Sequence, residues 1–234
     1  MDVEEYSKYI QFYTEDIPEL LLKYLNKIKW KIYLDLGCGD GALLYALNKK
    51  GYFDGKIVYA IDLSERRISL AKRIDKDFRC FVDDACNIQT IKDNSIDFLV
   101  SAHVVEHVTN DEAIVREISR VLNKNGTVYL ATVFKKWYGW FYKRCNGKWT
   151  LDYTHLREYT QDYQLFDLLR RYDLEILETK KSVFSLSVTD AVFKKIFRRS
   201  TKRDVYNNRL LRLLRNFKVP IFGYQEWETV CQKE

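Results

Sequence analysis

The sequence predicts an α/β protein with a doubly wound parallel sheet that is covered by helices on both faces. Short apolar runs without strict polar alternation recur along the chain and alternate with helical patterns, which is typical of strands buried on both sides. The chain has 234 residues, of which 47% are hydrophobic, so one sizeable core can form. A glycine-rich turn, LDLGCGDG, follows the first of these runs. Together these features predict a single domain over residues 1–234 with a ligand crevice at the strand ends.

Composition excludes several classes of protein. The chain has only nine glycines and two prolines, which argues against a collagen-like or linker-like protein. No apolar stretch approaches the length of about 20 residues that a bilayer-spanning helix needs, and the acidic start MDVEEYSKYI does not resemble a secretory signal. The five cysteines form no CxxC pair, which favours reduced thiols. A cytoplasmic location is therefore expected, with peripheral attachment to a membrane as an open addition.

Residues 1–30 are predicted to form a helical lid, because apolar and aromatic side chains recur there at helical spacing in two groups. The first group comprises Tyr6, Tyr9, Ile10 and Tyr13, and the second comprises Leu21, Leu22, Leu25 and Ile28. Pro18 precedes the second group, and proline is well tolerated in the first turn of a helix.

Seven apolar runs are predicted to be strands and to form one sheet. They cover residues 31–36, 56–61, 78–82, 96–101, 127–133, 174–179 and 226–231. Helices are expected over residues 42–50, 65–74 and 111–122, the second of them capped by Ser64. This alternation of strand and helix is the basis for the parallel sheet.

Two insertions interrupt the alternation, and insertions after strand ends tend to lie near the ligand crevice. Residues 135–154 are rich in aromatic side chains and lysine, whereas residues 189–218 carry ten Lys and Arg against two Asp. The second insertion is predicted to form two amphipathic helices. Their apolar faces comprise Phe193, Ile196, Phe197, Tyr206, Leu210, Leu213, Leu214 and Phe217. Packing of most of this apolar surface on the sheet is expected; contact with an anionic membrane is the next interpretation, and contact with RNA is the third.

The glycine turn provides backbone N–H groups at the start of a helix, where an anionic group could bind. Gly37, Gly39 and Gly41 allow a sharp turn and a close approach of a ligand. A dinucleotide pyrophosphate is one candidate ligand. However, Asp35 and Asp40 would repel a pyrophosphate, so a ligand with an ammonium and a sulfonium group suits the loop better.

LDLGCGDG resembles the first motif of the class I S-adenosylmethionine-dependent methyltransferases, and further similarities follow in the order of that family. YAIDLS, FVDDACNI, SIDFLVSAHVVEHV, RVLNKNGTVYLATV and HLREYT each resemble a family segment. The resemblance implies a Rossmann-like sheet of seven strands, mostly parallel with an antiparallel last strand, plus helical insertions. It also implies S-adenosylmethionine as the cofactor. The residues implied to contact it are Asp35, Gly37, Cys38, Gly39, Asp40, Gly41, Asp62, Leu63, Asp84, Ala85 and Ser101.

Specific roles come with this resemblance. Asp62 would bind the two ribose hydroxyls, and Asp84 with Ala85 would bind the edge of the adenine, with Asp83 as the alternative to Asp84. The aromatic insertion over residues 135–154 lies where the family builds its acceptor pocket.

The three histidines of the chain are the candidate acid–base or metal-binding groups. His103, Glu106 and His107 share one face of a helical turn, which suits either chemistry. Some family members have Glu-x-x-Glu-His here and bind a divalent metal with a downstream histidine, but His103 replaces the first glutamate and no metal site is predicted. His103 is the first candidate for a general base, and His155 is the second.

The predicted function is transfer of a methyl group to a small-molecule acceptor, at a hydroxyl of a metabolite, a sugar or a lipid-linked glycan. The resemblance of HLREYT to a group of small-molecule methyltransferases favours this acceptor class. Methylation of RNA or of a protein is an alternative, as is a non-catalytic adaptor with a basic surface for membrane or nucleic acid. The expected partners are thus a small-molecule acceptor and an anionic membrane surface through residues 189–218, ahead of nucleic acid.

Overall fold

A seven-stranded sheet forms the centre of the molecule in a computed structural model that describes residues 7, 10–145, 147–197 and 203–234. The strand order is β3-β2-β1-β4-β5-β9-β8. The bounds are β1 Ile32–Leu36, β2 Ile57–Asp62, β3 Arg79–Val82, β4 Ile96–Ala102, β5 Leu122–Lys135, β8 Leu174–Ser187 and β9 Lys218–Lys233. A separate hairpin comprises β6 Lys143–Cys145 and β7 Lys148–Thr150.

The directions of the strands confirm the predicted architecture. Strands β1 to β5 pair in parallel, whereas β9 runs antiparallel to both β5 and β8. The last strand of the chain therefore inserts between β5 and β8. The strand order reverses between β1 and β4, and ligands bind at such a switch point in open α/β sheets.

Helices cover both faces of the sheet, and each face has its own apolar core. The helices are α1 Glu19–Lys27, α2 Ala42–Lys49, α3 Glu65–Ala71, α4 Asp111–Val121, α5 Asp162–Arg171, α6 Val188–Ile196 and α7 Arg209–Leu214. Ser64 caps α3 by accepting a hydrogen bond from the backbone N–H of Arg67, as predicted. Among the described residues, no helix is both long enough and apolar enough to cross a bilayer.

The N-terminal segment differs from the prediction. Residues 10–18 contain no helix, and Tyr6 and Tyr9 of the predicted helical pattern lie outside the described residues. The side chain and backbone of Gln11 exchange hydrogen bonds with Asp40, and Tyr13 donates from its backbone N–H to the carbonyl of Arg203. These contacts hold the segment beside the glycine turn without helical structure.

The last two strands are longer than predicted. The expected strands over residues 174–179 and 226–231 are the first and last parts of β8 and β9, which continue pairing to Ser187 and Lys218. The two strands thereby form an antiparallel ladder, and the basic insertion connects its ends.

Packing of most of the basic insertion on the sheet was expected, and the structure contradicts this expectation. The side chains of Leu210, Leu213, Leu214 and Phe217 are 39–68% exposed. Only part of the apolar surface is covered, by a small cluster in which Phe12 and Tyr206 are buried and Phe193 and Phe197 are half-buried. Helix α7 has six residues, so it is too short to bury a long apolar stripe.

Candidate active site

The glycine turn lies between the ends of β1 and β2. The backbone N–H groups of Gly37 and Cys38 both donate to the carbonyl of Ile61. Gly37 has a φ of +78°, and a Cβ at this position would overlap with the side chain of Val104. Backbone conformation and packing therefore both require glycine here.

Asp62 is almost fully buried at the end of β2 and ties the turn to α3. Its Oδ2 accepts a hydrogen bond of 2.9 Å from the Gly39 N–H, and its Oδ1 accepts one of 2.9 Å from the Ser64 N–H. A carboxylate oxygen can accept two hydrogen bonds, so each oxygen keeps acceptor capacity for a ligand hydroxyl. Asp62 lines a cavity of about 200 Å³ together with Leu63, Asp84 and Ala85.

The structure distinguishes Asp83 from Asp84. Asp83 Oδ2 accepts hydrogen bonds from the backbone N–H groups of Gln89 and Thr90, so this carboxylate organises its own loop. Both residues line the small cavity, but Asp84 is the more exposed, and its Oδ1 accepts one backbone hydrogen bond, from the N–H of Cys86. The geometry therefore favours Asp84 over Asp83 for contact with a ligand.

A second cavity of about 740 Å³ adjoins the first and contains a buried carboxyl group. Asp35 lines it, and Asp35 Oδ2 has no hydrogen-bond partner among the described residues. Burial, with the nearby charge of Asp62, raises the pKa of Asp35 to about 7. A buried carboxyl group without a partner is suited to a cationic ligand, which would satisfy it.

The two cavities are both lined by Gly37, His103 and His107, so one elongated ligand can extend through both. Each cavity is lined by carboxyl groups: Asp62 and Asp84 in the small cavity, and Asp35 in the large one. This set of groups fits S-adenosylmethionine, which has ribose hydroxyls and an exocyclic amine at one end and an ammonium at the other. It fits a pyrophosphate poorly, because the carboxylates would repel it.

The remaining predicted cofactor residues occupy other positions. Cys38 lines the large cavity, and burial raises the pKa of its thiol well above the usual value. Four others line neither cavity: Gly39, Asp40, Gly41 and Ser101. Asp40 is fully buried, with Oδ2 at 2.9 Å from Arg203 Nε, so its carboxylate anchors the N-terminal segment and the basic insertion.

His103 lies between two carboxylates at the end of β4. Its Nδ1 is 3.0 Å from Glu106 Oε1, and its Nε2 is 2.8 Å from Glu226 Oε1. Partial burial alone would lower the pKa of His103, but the two carboxylates raise it well above the usual value. Both ring nitrogens therefore carry protons, and the ring has no lone pair for a substrate proton. This arrangement is unfavourable for a general base, and the expected role of His103 stays a prediction.

His155 has the arrangement of a proton acceptor. Its Nδ1 is 3.1 Å from Glu158 Oε1, and the side chain lines the large cavity. Burial would raise the pKa of Glu158, but hydrogen bonds from His155, Leu151 and Thr150 lower it, so Glu158 is ionised. An ionised carboxylate that accepts from Nδ1–H fixes the tautomer and leaves Nε2 as the acceptor.

Three side chains could together hold a metal ion. Glu106, His107 and His155 each place one ligand atom within 4.8 Å of the others. Both oxygens of Glu106 are already engaged, Oε1 by His103 and Oε2 by Thr132. Each of these oxygens accepts only one hydrogen bond from the described residues, so each keeps acceptor capacity that a metal could use.

Sequence reasoning did not identify Glu158 and Glu226. Glu158 follows His155 by three residues within HLREYT, and this spacing could have indicated the pair. Glu226 is 123 residues from His103 along the chain and meets it only through the pairing of β5 with β9. No local pattern marks Glu226.

Comparison with known proteins agrees with this geometry. The family model of a methyltransferase domain matches residues 34–130. The crystal structures of YcgJ from Bacillus subtilis and of a SAM-dependent methyltransferase from Methanosarcina mazei have the same fold. The YcgJ structure has a TM-score of 0.64 at 15% identity and covers 92% of this chain and 97% of its own. The Methanosarcina structure has a TM-score of 0.63 at 18% identity and covers 93% of this chain and 98% of its own. The match over residues 34–130 and the shared fold together support a class I S-adenosylmethionine-dependent methyltransferase.

A curated relative gives a more particular likeness. The ubiquinone biosynthesis O-methyltransferase of Pelagibacter ubique is 27% identical over 161 residues. The match covers 66% of this chain and 64% of the relative, so it spans less than two thirds of that protein. S-adenosylmethionine is the cofactor that the family and the fold imply.

Binding of the cofactor should depend on pH through Asp35. The ionised form attracts a cation, whereas the carboxyl with a pKa of about 7 is largely protonated below neutral pH. Affinity for S-adenosylhomocysteine, whose amino group stays protonated, is expected to rise about tenfold between about pH 6 and about pH 8. Isothermal titration calorimetry measures this, and Asp35→Asn should remove the dependence. If the affinity of Asp35→Asn rose with pH as steeply as that of wild type, the role of Asp35 would be contradicted.

Glu106 is expected to stabilise the fold. Burial alone would raise its pKa, but His103, with the nearby His107 and His155, lowers it from 4.5 to about 2. A group with a depressed folded-state pKa contributes stability above its unfolded-state pKa and loses this contribution as the pH falls.

Glu106→Gln should therefore lower the free energy of unfolding by roughly 2 kcal/mol at neutral pH, since it loses a charge-assisted hydrogen bond. The difference from wild type should shrink below about pH 4. Urea unfolding measures both values, with the exposed Glu65→Gln as the matched control. An unchanged midpoint at neutral pH would contradict this assignment.

Proposed function

We propose that the protein transfers a methyl group from S-adenosylmethionine to a hydroxyl of a small molecule. The observation that carries this proposal is His155, which is paired with Glu158 and lines the same cavity as Asp35 and Gly37. Hydroxyl oxygens are poor nucleophiles unless a base removes their proton. The name of the Pelagibacter relative, an O-methyltransferase, supports a hydroxyl acceptor.

The residues of the chain have three tasks in this reaction. S-adenosylmethionine supplies an electrophilic methyl carbon on its sulfonium. Asp62 and Asp84 would hold the ribose and adenine of this cofactor, and Asp35 would hold its ammonium group. His155 Nε2 takes the proton of the acceptor hydroxyl, and Glu158 stabilises the resulting imidazolium. The charge of His103 is neutralised by two carboxylates, so His103 serves as a fixed part of the cavity wall.

The lining of the large cavity favours an amphiphilic acceptor with a ring or a sugar. Phe141, Tyr142 and Phe184 provide aromatic surface, and Lys143 and Lys194 provide positive charge. Aromatic side chains stack on rings and sugars. A metabolite, a sugar or a lipid-linked glycan with a free hydroxyl therefore fits the cavity.

The test is transfer of labelled methyl from S-adenosylmethionine to a panel of acceptors. The panel contains catechol and glucose, a long-chain alkylcatechol and a glucosylated diacylglycerol, and tRNA. Label on a hydroxyl compound, located on oxygen by mass spectrometry, is expected. Label on tRNA alone or on protein alone would contradict the proposal.

Removal of metal provides a second arm of this experiment. The proposed base is His155 paired with Glu158, and such a pair takes up a proton without a metal. Treatment with EDTA is therefore expected to leave the rate of methyl transfer unchanged. A loss of activity that Mg²⁺ or Zn²⁺ restores would assign the activation of the hydroxyl to a metal at Glu106, His107 and His155 instead.

A further inference from the structure

A large exposed apolar surface lies beside the candidate active site. Three segments form it, residues 137–142, 183–196 and 209–222, and we call it the apolar–basic face. Its exposed apolar side chains are Trp137, Tyr138, Trp140, Tyr142, Val183, Leu186, Val188, Val192, Ile196, Leu210, Leu213, Leu214, Phe217, Val219 and Phe222. A contiguous exposed apolar patch of this kind marks an interaction site.

The three segments are joined by direct contacts. Leu186 pairs with Val219 in the β8–β9 ladder, and the Val188 N–H donates to the carbonyl of Phe217. The rings of Tyr138 and Phe222 lie 5.1 Å apart, which joins the aromatic segment to the end of the ladder. These contacts place the three segments next to one another on the molecule.

The charge on this surface is mainly positive. Its three segments contain six Lys and Arg and one Asp, Asp190, which forms an ion pair with Arg215. Lys195, Arg209 and Lys218 are exposed on the described part of the face. Exposed aliphatic and aromatic side chains beside basic ones have the composition of a surface that lies in the interface of an anionic bilayer.

The type of apolar residue favours lipid over nucleic acid. Nine of the fifteen exposed apolar side chains of the face are leucine, valine or isoleucine, and six are aromatic. Single-stranded nucleic acid binds mainly to aromatic stacking platforms in a basic groove, and aliphatic side chains offer its bases no such surface. Aliphatic side chains do enter the acyl region of a bilayer.

The large cavity is lined from the same segments. Four side chains of the apolar–basic face also line the cavity: Tyr142, Leu186, Lys194 and Lys218. A bilayer on this face would therefore lie next to the cavity that contains His155 and Asp35.

We propose that the apolar–basic face docks on an anionic lipid bilayer and that the methyl acceptor is an amphiphile taken from that bilayer. The proposal about the acceptor rests on the proposed hydroxyl methylation, whereas the proposal about docking does not. Basic side chains bind the lipid headgroups, and the exposed apolar side chains insert below them. The head of the acceptor then enters the cavity while its tail stays in the membrane.

Flotation with vesicles tests the docking. Wild-type protein is expected to float with vesicles that contain phosphatidylglycerol and to stay unbound with vesicles of phosphatidylcholine alone. The double variant Leu213→Glu with Phe217→Glu should lower the bound fraction at least tenfold. These side chains are 58% and 68% exposed, so the fold should stay intact, as thermal melting and binding of S-adenosylhomocysteine can show.

A matched control distinguishes the loss of apolar contacts in the face from the effect of added negative charge alone. Tyr163→Glu with Leu177→Glu introduces the same charge at exposed apolar residues outside the face, and it should float like wild type. Lys195→Gln with Arg209→Gln should weaken flotation, and added salt should do the same. Equal loss in the control and in the Leu213/Phe217 variant would overturn the docking surface.

Two other outcomes would also overturn the proposal. If the protein stays unbound with both kinds of vesicle but binds single-stranded RNA, the face is a nucleic-acid surface. The protein could also stay unbound with vesicles and be a dimer by light scattering. If the Leu213/Phe217 variant is then monomeric, the face is an interface between two copies.

The acceptor part has its own readout. Wild type should methylate the vesicle-bound alkylcatechol or glucosylated diacylglycerol faster than catechol or glucose in solution. The Leu213/Phe217 variant should lose only the vesicle-dependent gain in rate. Flotation without any methyl transfer would contradict the proposed function and leave the docking intact. Transfer to soluble hydroxyls by a protein that does not float would contradict the docking and leave the proposed function intact.

Discussion

Replacement of His155 by Gln is expected to lower kcat by about 100- to 10,000-fold, which is the range for loss of a general base. His155 lines the large cavity and directs Nδ1 to the ionised Glu158, so Nε2 is the acceptor for the substrate proton. Glutamine cannot take up that proton. Methyl transfer to the hydroxyl acceptor identified by the screen measures the effect.

The binding of S-adenosylhomocysteine to His155→Gln should be nearly unchanged, because the proposed ligand contacts, Asp35, Asp62 and Asp84, stay in place. Glu158→Gln should also lower kcat, by a smaller factor, since it keeps the shape but loses the charge that stabilises the imidazolium. His103→Gln serves as the comparison, because both ring nitrogens of His103 are already occupied. A larger loss of kcat in His103→Gln than in His155→Gln would reverse the assignment.

Replacement of Asp62 by Ala should weaken the binding of S-adenosylmethionine on the order of 100-fold. The carboxylate accepts from the backbone N–H groups of Gly39 and Ser64, so its loss leaves both without this partner and also removes the acceptor for the ribose. Hydrogen bonds to charged groups contribute about 1.5–3 kcal/mol each, and about 1.4 kcal/mol corresponds to tenfold in affinity.

Calorimetric titration of Asp62→Ala measures this loss, with Asp77→Ala at an exposed position as the matched control. A thermal melt confirms that the variant is folded. Asp62→Asn retains one acceptor oxygen and should be intermediate in affinity. Wild-type affinity in Asp62→Ala would exclude Asp62 from the cofactor site.

The fold could be predicted from the sequence because its signals are local. Each buried strand is a short apolar run, and the glycine turn between Leu36 and Ala42 marks where a ligand approaches the sheet. The positions of Asp35, Asp62 and Asp84 follow from the strand ends, since parallel strands bring their carboxyl ends to one edge.

The features that could not be predicted depend on contacts between distant parts of the chain. Asp40 binds Gln11 and Arg203, which are 192 residues apart. No local sequence pattern could therefore predict where the N-terminal segment lies. The state of His103 depends on Glu226 from the last strand. Amphipathic spacing predicted apolar faces around Leu213, but spacing alone does not show whether such a face packs on the sheet or remains exposed.

A crystal structure of the complex with S-adenosylhomocysteine tests the central claim most directly. The ribose hydroxyls are expected at Asp62, the adenine amine at Asp84 and the amino group at Asp35, with the sulfur at the junction of the two cavities near Gly37. A ligand bound in the opposite direction would place the sulfur away from the cavity of His155 and contradict the proposed chemistry. Failure to bind this ligand, with NAD bound at the glycine turn instead, would contradict the assignment of the site itself.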